Sequence, residues 1–167
     1  MTQNPPSLAR QLAAFVADTP VGALPADVTG KAIRHVLDTL GAALAGARAL
    51  ETRCALDLMT GQGGGVAPAW GTPYTLAARD AAFVNGVAAH ALELDDAGGC
   101  DHSGAVVLPA ALAALSCTER PVSGPELLTA VVLGYDVARR VLEAAGGYSA
   151  HNGAGWHSTL TCGVFGA

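Results

Sequence analysis

Apolar residues recur at helical spacing along most of the chain. Ser7 stands where an N-cap is expected, ahead of Leu8, Leu12, Phe15 and Val16, and that helix is expected to end near Thr19 and Pro20. After Pro25, the positions Val28, Ala32, Val36, Leu40 and Leu44 repeat every four residues, and Ile33 and Leu37 widen the stripe. A third helix is expected from about Glu51 to Thr60. It should stop at the glycine-rich segment Gly61 to Gly65, which loses too much backbone entropy to stay helical. Val66 to Trp70 is the one strand-like stretch, closed by Gly71, Thr72 and Pro73.

Thr75 is then expected to cap a long helix carrying Phe83, Val87, Ala91 and Leu94. The polar segment Asp95 to Gly104 interrupts the pattern, and a helix resumes over about Val106 to Cys117. Ser123 to Glu126 reads SGPE, a capping box with proline in the first turn, opening a helix that carries Leu127, Val131, Val132, Tyr135, Val137 and Leu142. Gly146 and Gly147 end it, Tyr148 to Gly155 reads as a loop, and His157 to Ala167 as the opening of a last apolar helix. The fold expected is all-α, a multi-helix bundle. The last run stops without a polar tail, so residues 1–167 are expected to be an incomplete, N-terminal helical portion of a larger protein.

Composition narrows the function classes. Lys plus Arg number 9 against 14 Asp plus Glu, a net charge of -5, and this argues against binding to nucleic acid through bulk charge. Hydrophobic residues make up 51% and charged residues 14%, which excludes disorder. No apolar run approaches the length that spans a bilayer, and the start MTQNPPSLAR has no export-signal pattern, so no membrane partner and a cytoplasmic location are expected. Cys54, Cys100, Cys117 and Cys162 are far apart, form no CxxC pair and read as free thiols. So little charge leaves too few polar groups to clothe a free-standing domain. Much of the surface is expected to be covered by another chain or by further sequence.

Chemistry-bearing side chains concentrate in three stretches: Asn85 to His90, Glu93 to Gly104, and His151 to Thr159. The middle one places Glu93, Asp95, Asp96, Asp101 and His102 in one short glycine-bearing loop. A carboxylate beside His102 would fix its tautomer, as general acid or base chemistry requires. A solvated acidic loop with a helix-capping aspartate is the plainer reading of the same residues. His90, Glu93, Asp96 and His102 offer nitrogen and oxygen ligands, but no HExxH and no i,i+4 histidine pair supports a metal, and none is expected. His90 sits on the apolar stripe and reads as a core histidine bonded to a backbone carbonyl. Asn85 and Gly86 are poor helix formers inside a helical pattern, and Gly86 would permit close helix packing. His157 follows Gly155 and Trp156 at a helix start that favours anions, or else simply caps that helix. Gly61 to Gly65 lacks the GK[ST] of a phosphate loop, and there is no GxSxG elbow.

Taken in order, four stretches resemble the MmgE/PrpD family: Ala82 to Asp96 (AFVNGVAAHALELDD), His102 to Leu112 (HSGAVVLPAAL), Gly124 to Arg139 (GPELLTAVVLGYDVAR), and Gly155 to Thr159 (GWHST) with Gly163 to Ala167 (GVFGA). The resemblance implies the first part of a large helical domain, with a small α+β domain placed later in sequence. It implies a homodimer that works without metal or organic cofactor on small di- and tricarboxylates. The reactions implied are 2-methylcitrate dehydration, cis-aconitate decarboxylation or iminodisuccinate epimerisation. By resemblance His102 and His157 belong to the active site, and lysines and a tyrosine beyond residue 167 complete it. A family aspartate falls on Glu93, and a family threonine on Ala97. Proline is usual where Ser103 stands, and the loop is one residue shorter than in the decarboxylase pattern. These departures favour a dehydratase of the 2-methylcitrate type, with an iminodisuccinate epimerase as the alternative. His102, Asp95 and Asp96 are the expected catalytic residues, and His157, Glu93 and Ser103 the expected substrate-binding residues. The only lysine, Lys31, lies outside the motif stretches. A truncated, non-catalytic helical scaffold or dimerisation module is therefore the competing reading.

Overall fold

The computed structural model describes residues 6–167, so the first five residues of the segment read for an export signal lie outside it. Eight helices and one two-stranded sheet make up the described chain: α1 Leu8–Asp18, α2 Ala26–Gly46, α3 Leu50–Thr60, β1 Ala67–Pro68, β2 Thr75–Leu76, α4 Ala78–His90, α5 Gly104–Leu115, α6 Gly124–Ala144, α7 Gly147–Gly153 and α8 Ser158–Gly163. The all-α expectation holds. Among the described residues no helix is long and apolar enough to cross a membrane.

Helix α4 is the hub, packed against α2, α3 and α5, while α6 closes the other side of α5 and carries α7 and α8. The reason α4 can be central is that its contact faces are small. Ala81, Ala88 and Ala89 are fully or almost fully buried; Ala43 of α2 and Ala105 of α5 meet Ala88 and Ala89, while Ala81 packs with Ala55 and Leu56 of α3. Alanine contributes little apolar area, so this core gains by close approach instead of bulk. Two glycines set the spacing. A Cβ on Gly46 would strike the Ala88 carbonyl, and one on Gly86 would come within 2.8 Å of the Ala105 carbonyl. Pro109 inside α5 has no N–H for that Ala105 carbonyl, so the oxygen is free to face Gly86. The sequence expectation for Gly86 is met at this crossing.

Asn85 has a defined task. Its Oδ1 accepts from the Trp70 backbone N–H (2.8 Å) and its Nδ2 donates to the Pro68 carbonyl (3.0 Å). A poor helix former is tolerated mid-helix because it satisfies two backbone groups of the β arch. That arch is antiparallel, with Ala67 opposite Leu76 and Pro68 opposite Thr75.

Several sequence expectations shift. Thr75 is in β2 and caps nothing; α4 starts after Ala77, which makes no side-chain cap bond. Only Ala67–Pro68 of the expected strand pairs, because the chain turns at Gly71 (φ 71°). Helix α4 ends at His90, not Leu94, since Glu93 takes a left-handed backbone conformation (φ 52°). Ile33, Leu37 and Leu44 are exposed, and α2 buries its Ala32, Thr39 and Ala43 side instead. Tyr148 to Gly155 is mostly helix α7, started from the left-handed Gly146 (φ 98°). The last run holds a six-residue helix, α8, whose Gly163 lies against Val106 and Cys100. Ser123 opens α6 with both reciprocal bonds of a capping box, as expected.

Two outcomes are expected. Asn85→Ala strands the Trp70 N–H and the Pro68 carbonyl, and should lower stability by about 2–4 kcal/mol in urea unfolding, without changing the helix content. Glu126 is held down to about 2, chiefly by the Arg120 side chain and then by the Ser123 backbone and hydroxyl. Its folded-state value is depressed, so its contribution is fully present above the ordinary glutamate range and is lost as pH falls toward 2. The stability gap between wild type and Glu126→Gln should therefore shrink between about pH 4.5 and pH 2. A gap unchanged across that window would refute the assignment.

Candidate active site

The segment between α4 and α5 carries two adjacent aspartates whose side chains turn to opposite sides. Both residues are buried, so each must find partners in the protein.

Asp96 faces inward to α2, α5 and α6. Its Oδ1 accepts from the Gly104 backbone N–H at the start of α5 (2.9 Å), where the exposed N–H groups of a helix favour a carboxylate. Its Oδ2 lies 2.9 Å from Nδ1 of His35 on α2, close but out of line for a hydrogen bond. Burial, and next the Asp96 charge, push the Tyr135 hydroxyl far above its ordinary range, so it stays protonated as a donor. There is no room for a side chain at Gly104, where a Cβ would strike Thr39, Asp96 and the Tyr135 hydroxyl. Asp96 is thus built into the base of the loop, and the structure does not bring it to His102. The four-ligand set of His90, Glu93, Asp96 and His102 is not assembled either, for the same reason.

Asp95 faces the other way, and its side chain is fully buried. One oxygen lies 3.1 Å from Nδ1 of His90, and the other 3.2 Å from Nδ1 of His102. The His102 contact is off the line of a hydrogen bond, so Asp95 Oδ2 and His102 Nδ1 are both buried without an aligned partner. The far nitrogens of both rings face Glu93, at 3.3 Å from His90 and 3.8 Å from His102. The His90 and His102 rings are 4.4 Å apart between centroids. His157 stands 6.3 Å from His90 and 6.5 Å from His102, nearly parallel to the latter. His90, which sequence reasoning placed against a backbone carbonyl in the core, is instead part of this cluster. Its signal was there in the spacing His90, Glu93, Asp95, which a helix ending at His90 and a reversing turn fold into one cluster.

The backbone is strained where it holds these groups. Glu93 (φ 52°) and Asp101 (φ 102°) are, among the described residues, the non-glycine residues with positive φ. His102 is fixed by its own N–H, which donates to the Thr159 hydroxyl of α8 (3.1 Å). Ser103 is fully buried. Its hydroxyl accepts from the Cys100 backbone N–H (2.8 Å) and points at Cys100 Sγ (3.3 Å), so it locks the loop and does not reach the histidines. Burial raises the Cys100 thiol above its ordinary range, which keeps it protonated. His157 caps α8 by position only, without a side-chain cap bond.

A groove of about 640 Å³ runs from this cluster between α4, α5 and α8, with His90 and His157 at its polar end and Phe83, Val87, Val106 and Leu160 along its walls. His90, Asp95 and His102 also place one ligand-type atom each within 4.8 Å of one another. The 3.1 Å spacing between His90 Nδ1 and Asp95 is that of a hydrogen-bonded pair, whereas His102 Nδ1 lies as close to the other oxygen but out of line. Among the described residues no lysine or arginine pairs with Glu93, Asp95 or Asp101. What this arrangement offers chemically is proton transfer by imidazole, oriented by a buried carboxylate.

The two aspartates should separate in experiment. Asp96→Ala removes partners from Gly104, His35 and Tyr135 and should cost about 2–4 kcal/mol in urea unfolding, discounted because His35 is partly exposed. Gly104→Ala should be similarly damaging. A wild-type unfolding midpoint in both would contradict the structural role given to Asp96.

No curated relative matches the chain. A family model described as the MmgE/PrpD N-terminal domain matches residues 10–167. With its helical fold and its His and Asp loop accounted for over that whole span, the chain belongs to the MmgE/PrpD family.

Proposed function

We propose that this chain carries the proton-transfer half of a carboxylate lyase of the 2-methylcitrate dehydratase type. Members of this family are generally lyases or isomerases. The observation that carries the reading is the buried Asp95 carboxylate 3.2 Å from His102 Nδ1, with His157 beyond it at the polar end of the groove.

In this reading Asp95 orients His102, and Nε2 of His102 takes a proton from a carbon next to a substrate carboxylate. The C–H electron pair becomes the new C=C bond. The hydroxyl on the neighbouring carbon departs with the C–O pair and one proton, so that water is the second product. His157, exposed and facing the same space, binds a substrate carboxylate as imidazolium. Glu93, largely exposed and spanning both Nε2 atoms, must swing aside as the substrate enters, since two carboxylates repel. No cationic side chain among the described residues is paired with the cluster. The further cations that hold a tricarboxylate would come from sequence outside this chain, or from a second copy in a homodimer. Exposed Phe83, Leu160 and Val164 along the groove support such a cover. Epimerisation of an iminodisuccinate-like substrate would use the same abstraction by His102, followed by return of the proton to the opposite face.

His102→Ala should lower turnover of 2-methylcitrate by a factor of about 100 or more, with a change in stability below about 1 kcal/mol. Substrate loss followed in an ultraviolet assay for the new double bond, alongside urea unfolding, checks both. A variant as active as wild type would end the proposal. An inactive wild type that binds no tricarboxylate would favour the scaffold reading.

A further inference from the structure

We infer that His90 is the second proton-transferring residue of this site, the acid that accompanies the departing hydroxyl, paired with His102 across a single buried carboxylate. The inference rests on the dehydratase reading for its chemistry but not for its geometry.

The geometry is a ring of alternating carboxylates and imidazoles, Asp95, His90, Glu93 and His102, with Asp101 Oδ1 a further neighbour 3.7 Å from His102 Nε2. Asp95 forms the inner corner, with one oxygen for each Nδ1 (3.1 and 3.2 Å). Glu93 forms the outer corner, with one oxygen for each Nε2 (3.3 and 3.8 Å). A carboxylate only accepts, so the His90 Nδ1 bonded to Asp95 is the N–H side of its ring, and the inference gives His102, whose Nδ1 lies 3.2 Å from the other oxygen but out of line, the same tautomer after a small turn of its ring. Fixing Nδ1–H on both rings leaves both Nε2 atoms as the positions where protons come and go. Both Nε2 atoms face the exposed Glu93 carboxylate, and His90 itself lines the groove.

The inner corner is permanent and the outer one is not. The Asp95 side chain is fully buried, whereas Glu93 is 69% exposed on a strained backbone. A substrate can displace Glu93 without disturbing the tautomers. Elimination of water needs two groups in opposite states, one to receive a proton and one to donate. Two rings 4.4 Å apart can serve adjacent carbons of one substrate, whereas His157 is 6.5 Å from His102. In one turnover His102 gains the proton from carbon, and His90 gives its Nε2 proton to the departing hydroxyl. The pair has then exchanged charge but not changed its proton count. Glu93, returning between the two Nε2 atoms, can pass the proton back from His102 to His90. No oxidant, reductant or metal is needed for the balance.

Two measurements on the full chain test this. The first needs no turnover. Long-range proton–nitrogen NMR on histidine-labelled protein should show both His90 and His102 protonated on Nδ1. Asp95→Asn should let both rings redistribute between tautomers. Finding His90 protonated on Nε2 instead, or either Nδ1 occupied by zinc after dialysis against zinc chloride, would overturn the pairing. The second reads the acid role. His90→Gln should lower 2-methylcitrate turnover by about 100-fold or more, yet act at near wild-type rate on the analogue with fluoride in place of the departing hydroxyl, because fluoride leaves without a proton. His102→Gln should fail on both substrates. Equal loss by His90→Gln on both would make His90 a positioning residue only, and no loss would remove it from the reaction; either result overturns the inference. Full activity of His102→Gln, or a wild type inactive on both substrates, would instead sink the dehydratase reading, and the NMR result would still decide the pair.

Discussion

Burial of two neighbouring carboxylates is the constraint around which this structure is organised. Neither Asp95 nor Asp96 can be left alone in a dry interior, and side by side they repel. The chain resolves this by turning them to opposite faces of the loop. Asp96 is held by the N-terminus of α5 and lies beside His35, and Asp95 lies between two imidazoles. The second solution is the one with chemical consequences. It leaves two rings side by side at the groove that His90 lines, while the first nails the loop to three helices.

The alanine-rich core makes that loop possible. With Gly46 and Gly86 at the crossings, α2 and α5 approach α4 so closely that the end of α4 and the start of α5 are nearly fixed in space. The connecting segment has little choice of path, and it absorbs the strain at Glu93 and Asp101. Strained backbone persists only where the surroundings over-determine it. Here the surroundings are the buried Ser103 and Cys100 contact and the bond from His102 to Thr159. Thr159 also explains why the distant GWHST stretch belongs to the same site as the aspartate loop. Helix α8 is short, yet it both steadies His102 and delivers His157.

The exposed face has a different logic. Phe83, Leu160 and Val164 remain in contact with solvent along one groove of the described chain, in line with a composition too poor in charge to clothe a free surface. The clustered histidines sit at the edge of that apolar face, not in an enclosed pocket. Exclusion of water, which strengthens every polar interaction in a site, therefore depends on whatever covers the groove.

Helices α1, α2, α3, α5 and α6 were legible in the sequence because spacing, proline and glycine punctuation, and the capping residues Ser7 and Ser123 are local signals. The family and the histidine-bearing loop were legible for a similar reason, being ordered words along the chain. Local signals misplaced the end of α4, the role of Thr75 and the helix α7, where turn geometry at Glu93, Gly71 and Gly146 overrode the hydrophobic pattern. What tertiary structure alone decided was which carboxylate meets which ring. Two adjacent aspartates are interchangeable in a string of letters. They become different only when α2, α5 and α6 close around one of them, and when an imidazole at the end of α4, which the apolar stripe assigned to the core, meets the other.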